Sequence, residues 1–86
     1  MNHIDVTILE WDEKAGKIIM VDDEGNNYIL EKIMPSDGKN YLNIIQNDYY
    51  ALGELTRNGE YIGLWVLRSK DKRKGYLVKY QGNHLT

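Results

Sequence analysis

Ala51-Leu52-Gly53-Glu54-Leu55-Thr56-Arg57-Asn58-Gly59-Glu60-Tyr61-Ile62-Gly63-Leu64-Trp65-Val66-Leu67 is the stretch on which the fold turns. Two runs rich in apolar residues flank Asn58-Gly59, a pair that tolerates the positive φ angles of a two-residue type I′ turn, so the segment predicts a β-hairpin. The turn sets an expected register. Arg57 faces Glu60, Leu55 faces Ile62 and Gly53 faces Leu64, while Thr56 meets Tyr61 and Leu52 meets Trp65 on the other side. Residues 61–67 are apolar on both faces, which suits a central strand or the tightest part of a barrel. Gly63 in their midst marks a bend, a bulge or a close approach.

The same logic extends in both directions. Toward the N-terminus, residues 3–10 alternate, with Ile4, Val6 and Ile8 on one face and Asp5 and Thr7 on the other. Residues 12–16 read as a turn, and residues 17–22 as a short strand with little solvent on either face. Residues 23–26 reverse the chain at Gly25, and residues 28–33 return as a third strand. Toward the C-terminus, residues 69–75 form a charged hairpin tip. Tyr76, Val78 and Tyr80 then share one face of a last strand, with residues 82–86 as a loose tail. In the middle, Tyr41, Ile44, Ile45, Asp48, Tyr49 and Leu52 recur at helical spacing and predict a short helix over residues 39–50. Composition agrees with a β-rich chain: two Ala stand against nine Ile, four Val, seven Tyr and two Trp, and β-branched and aromatic side chains fit a pleated surface.

The expectation is one mainly β domain spanning residues 1–86. It is a small antiparallel curled sheet or barrel of five to six strands, with one short helix between the third and fourth. The stretch Val6-Thr7-Ile8-Leu9-Glu10-Trp11-Asp12-Glu13-Lys14-Ala15-Gly16-Lys17-Ile18-Ile19 resembles the opening hairpin of cold-shock-type five-stranded barrels, where a Trp precedes an acidic-basic turn and a Gly. That likeness covers less than a third of the chain and implies barrel geometry. It does not imply base stacking, because Ile18, Ile19 and Met20 stand where that family carries aromatic rings.

Charge is unevenly distributed. Residues 1–56 hold four Lys and eleven acids, a balance of −7, whereas residues 57–86 hold seven Lys or Arg and two acids, a balance of +5. The two parts can attract each other within one fold, or present separate acidic and basic faces to partners. With no Cys, there is neither a disulfide framework nor a cysteine-based zinc site. No stretch approaches the roughly 20 apolar residues of a membrane span, and a cytoplasmic location with no membrane partner is expected.

Catalytic signals are sparse. His3 and His84 lie near the termini, Ser36 and Ser69 lack a nucleophile-elbow pattern, and neither a phosphate-cradling Gly loop nor a His pair at metal spacing occurs. The acids starting at Asp22 fail the calcium-loop pattern, since Asn27 takes the sixth place and Ile33 the twelfth. Neither a metal nor a cofactor is expected, nor an enzyme. The candidate protein-binding residues are Tyr41, Tyr49 and Tyr50, with the acidic turn Asp22, Asp23 and Glu24, because Tyr is enriched at interface centres and charge steers partners. Arg68, Lys70, Lys72, Arg73 and Lys74 form a basic tip. A non-catalytic protein-binding module is therefore the expected function, and the composition would suit a small phage-encoded inhibitor of a host or defence protein. Two other classes compete with it: a nucleic-acid-binding small barrel using the basic tip, and a structural subunit that self-associates through a strand edge into a homo-oligomer.

Overall fold

Among the described residues, the runs read as strands are strands, and they close on themselves. The computed structural model describes residues 3–34 and 48–81. Six strands occupy them: β1 (Ile4–Asp12), β2 (Lys17–Val21), β3 (Asn27–Glu31), β4 (Tyr49–Arg57), β5 (Glu60–Ser69) and β6 (Lys74–Lys79). Every strand pairs antiparallel with its neighbours in chain order, and β6 returns to β1 to close a barrel. This up-and-down order differs from the five-stranded architecture that the opening hairpin resembles. No helix occurs among the described residues, and so none there is long and apolar enough to cross a membrane. Most of the expected helix, 39–47, lies outside the described residues, as do Tyr41 and the tail at 82–86. Its C-terminal end is instead strand, because Tyr49 and Tyr50 open β4 opposite Ser69 and Arg68, where aromatic side chains gain cross-strand contacts.

Inward-facing residues from all six strands fill the interior. Val6, Ile8, Ile18, Met20, Tyr28, Leu30, Ala51, Leu55, Leu67 and Leu77 form one buried cluster, with Trp11, Ile62 and Trp65 packed against it. The expected alternation in β1 holds, with Val6 and Ile8 buried and Asp5 exposed. In β2 the inward Ile18 and Met20 are buried while Ile19 and Val21 stay partly exposed, so this strand has one wetter face and not two dry ones. At the hairpin, Arg57 faces Glu60 and Thr56 faces Tyr61 as expected, but beyond them the register shifts by one residue. Leu55 then faces Gly63, Gly53 faces Trp65 and Leu52 faces Val66. The cause is a bulge at Ile62, made feasible by Gly63 at φ 118, a conformation that side chains rarely adopt. The Trp65 indole N–H donates to the Ile62 carbonyl at 3.1 Å, a side-chain bond across the bulge. A second bulge in β1 leaves Leu9 without a partner residue in β2 and 60% exposed.

Alternate hairpins gather at opposite ends of the barrel. The β1–β2 turn, the start of β4 and the β5–β6 tip lie toward one end, and the β2–β3 and β4–β5 turns toward the other. This follows from the up-and-down order alone. At the second end the turns are stitched together: the Asn58 N–H donates to the Asn27 carbonyl at 2.7 Å, the Asn58 Oδ1 accepts from the Asn27 N–H at 2.8 Å, and the Asn58 amide donates to Asn26 Oδ1 at 2.9 Å.

Candidate functional site at the basic tip

The β5–β6 tip is built around Ser69, a buried polar residue. Its Oγ accepts from the Lys72 N–H at 2.8 Å and donates to the Lys74 carbonyl at 2.6 Å. Asp71 completes the turn, its Oδ1 accepting from the N–H groups of Arg73 at 2.8 Å and Lys74 at 3.0 Å. Those bonds, the one from Lys74 foremost, hold the Asp71 carboxyl below the usual carboxylate range. Short polar side chains bonding nearby backbone are what allow a turn this rich in like charge to keep one shape.

The five basic residues of this region have different fates. Arg68 belongs to a row that crosses the outside of the barrel, Tyr50–Arg68–Tyr76–Asp5, one residue from each of β4, β5, β6 and β1. Its guanidinium stands 5.8 Å from the Tyr50 ring and 5.3 Å from the Tyr76 ring, and its Nε and Nη2 both donate to Asp48 Oδ2 at 3.3 Å. The Asp48 side chain is only 6% exposed and that of Arg68 19%, so each requires the other as counter-charge. His3 abuts the same row, its ring edge-on to Tyr76 and its Nε2 3.4 Å from Asp5.

Lys72 is also paired internally. Its Nζ lies 2.7 Å from Glu13 Oε2 across the barrel end, 4.7 Å from the Tyr49 ring centre and 5.2 Å from that of Trp11. The two rings meet edge-on at 6.2 Å. The hydrogen bond and charge of Lys72 pull the Glu13 carboxyl below its usual range. Lys70, Arg73 and Lys74 remain exposed, and Lys70 and Lys74 are in no salt bridge among the described residues. A groove of about 390 Å³ runs beside them, lined by Asp48, Arg68, Ser69, Lys70, Asp71, Lys74, Gly75 and Tyr76.

Known proteins offer no match: no family model, no curated protein and no solved structure.

The expected protein-binding residues do not form one surface. Tyr49 and Tyr50 belong to the end that carries the basic tip, whereas Asp22, Asp23 and Glu24 occupy the β2–β3 turn at the opposite end. Asp22 is committed to that turn. Its Oδ1 accepts from the N–H groups of Glu24 and Asn26, and its Oδ2 from the Asn26 amide and the Tyr28 hydroxyl, all at 2.9 Å. The Asn26 side chain leads these contacts in lowering the Asp22 pKa to about 2. Asp23 and Glu24 stay exposed. Residues that pattern reading missed as parts of the tip region are Asp48, Trp11 and Glu13. Each lies far along the chain from its partner, so sequence spacing carried no signal of the pairing.

Proposed function

We propose that the chain is a non-catalytic protein-binding module that receives an acidic segment of a partner protein along the groove beside the β5–β6 tip. The observation that carries this reading is the pair of exposed lysines, Lys70 and Lys74, which line a groove on a hydrogen-bonded turn and are in no salt bridge among the described residues. Such lysines attract and orient an acidic chain, and a shaped groove gives it register. Tyr76 and the aliphatic stem of Arg68 supply apolar contact on the same wall.

Two features favour protein over nucleic acid. Arg68 and Lys72 are already neutralised by Asp48 and Glu13, leaving three cations around Asp71, whereas strongly salt-dependent nucleic-acid binding draws on about 6–10 phosphate contacts. The rings of Tyr50, Tyr76, Tyr49 and Trp11 are also engaged by those two cations, so they are not free platforms for bases. The carboxylates with lowered pKa are engaged in structural contacts, Asp22 and Asp71 within their own turns and Glu13 with Lys72. Inhibition of a host or defence protein would be one use of such a module. Barrel closure leaves no fully unpaired strand among the described residues, which shortens the edge that self-association could use.

The test is affinity capture from the source organism with the wild type and a Lys70→Glu/Lys74→Glu double variant as baits. A stoichiometric companion with an acidic segment, recovered by the wild type and lost with the double variant, is expected. Equal recovery by both baits overturns the reading. Binding to single- or double-stranded nucleic acid that weakens steeply with salt would replace it with the nucleic-acid alternative.

A further inference from the structure

Trp11, Tyr49, Glu13 and Lys72 make an arrangement that barrel packing alone does not require. Tyr49 sits at the start of β4 opposite Ser69, and Trp11 packs against the core near the end of β1. Their rings meet edge-on, and a carboxylate, Glu13, stands within 2.7 Å of the cation they share. Two ring faces and one carboxylate around a single ammonium are the chemistry of cation recognition, because the ring quadrupoles and the negative charge converge on one point. Here that point holds the Nζ of Lys72. The Lys72 backbone is unusual for a lysine, with φ 61, a left-handed conformation that glycine or asparagine would occupy at less cost.

We propose that Trp11, Tyr49 and Glu13 form an ammonium-binding box whose external ligand is a quaternary or trimethylated ammonium group, and that Lys72 is a tethered occupant which such a ligand displaces. The inference stands apart from the groove beside Lys70 and Lys74. A quaternary ion suits the box better than a second primary amine. It is weakly hydrated and loses little on entering between rings, whereas a free primary ammonium would compete on equal chemistry against a lysine held nearby at high effective concentration. Lys72 therefore sets a threshold: a ligand's apparent affinity is its intrinsic affinity multiplied by the fraction of time that the side chain is out of the box. The hydrogen bond from the Lys72 N–H to Ser69 Oγ fixes the backbone of the tip, so only the side chain has to swing out.

The experiment titrates the full chain with tetramethylammonium chloride, with sodium chloride as the control for ionic strength, and follows the Trp11 indole N–H by two-dimensional NMR. Wild type, Lys72→Ala, Lys72→Gly and Tyr49→Ala/Lys72→Gly are compared. Lys72→Gly suits the backbone conformation at that position, so it keeps the test alive if Lys72→Ala folds poorly. The expected result is weak, tetramethylammonium-specific movement of Trp11 in the wild type, at least about fivefold tighter binding once Lys72 is removed, and loss of binding in the double variant. Absence of tetramethylammonium-specific shifts in a folded Lys72→Gly protein overturns the proposal, and so does equal affinity in the wild type and that variant. Either result would make the contact a structural latch alone.

Discussion

Asp22 shows how much one side chain can hold in place at the residue scale. Four hydrogen bonds reach its carboxylate, and its pKa falls from 3.8 to about 2 on folding. The folded value lies below the unfolded one, so the stabilisation is complete above the unfolded pKa and disappears as pH falls from about 4 toward 2. Asp22→Asn keeps an acceptor for the two backbone N–H groups but sets an amide against the Asn26 side chain. Thermal melts across acid pH should find it less stable than the wild type at neutral pH and flatter in this window; an unchanged acid response would refute the assignment. A different mechanism governs Arg68. Removing it takes from the buried Asp48 its ion-pair partner among the described residues, so Arg68→Ala should cost about 3 kcal/mol in urea denaturation, and Arg68→Lys should recover only part of this, since a lysine cannot reproduce the planar contact with two rings and one carboxylate. A loss within about 0.5 kcal/mol, the range of ordinary surface substitutions, would show that the pair is solvated. Pattern reading placed Asp22 at the end of a strand and among the partner-binding acids, whereas in the structure it bonds backbone N–H groups of the turn that follows. Asp48 and Arg68 are twenty residues apart, and nothing in their spacing pairs them.

At the scale of elements, hairpins were legible and bulges were not. Asn58-Gly59 fixed the first two pairs of the β4–β5 ladder, because turn type sets register from the turn outward. The inserted residue at Ile62 then moved every later pair by one, and period-2 reading has no term for an insertion. Gly63 signalled that something would happen there without saying which of its three meanings applied. Gly53 makes the complementary point about close approach. A Cβ at this position would collide with the Glu31 carbonyl oxygen, with the Ile33 and Leu30 side chains also inside ordinary contact distance. The obstacle is backbone of the paired strand and cannot rotate away, so Gly53→Ala should lower stability by about 1–3 kcal/mol. Chemical denaturation would measure it, and a neutral result would mean that β3 and β4 separate more easily than their pairing implies.

At the scale of the whole molecule, some of the opposite charges of the two parts of the sequence are brought together and the rest are displayed. Glu13–Lys72 and Asp48–Arg68 each join a residue from the acidic part to one from the basic tip, the first of them linking the β1–β2 turn to the β5–β6 tip across the seam where β6 meets β1. That seam sets Ile4 against Leu77 and Val6 against Gly75, strand pairings some seventy residues apart in sequence, while the β4–β5 hairpin closes through a two-residue turn. Loop closure costs more entropy for the first than for the second, so the hairpin should order early in folding and the seam late. Leu55 and Leu77 are both completely buried, and truncating either to Ala should cost about 2–5 kcal/mol at equilibrium. The two losses should divide differently between rates. Leu55→Ala should mainly slow folding, and Leu77→Ala should mainly speed unfolding, because an interaction absent from the transition state affects only the exit from the native state. Stopped-flow folding and unfolding across a range of urea concentrations separates these effects. If Leu77→Ala slows folding as much as Leu55→Ala, the barrel closes at its nucleus, and the seam with its ion pairs directs assembly instead of locking a structure already formed.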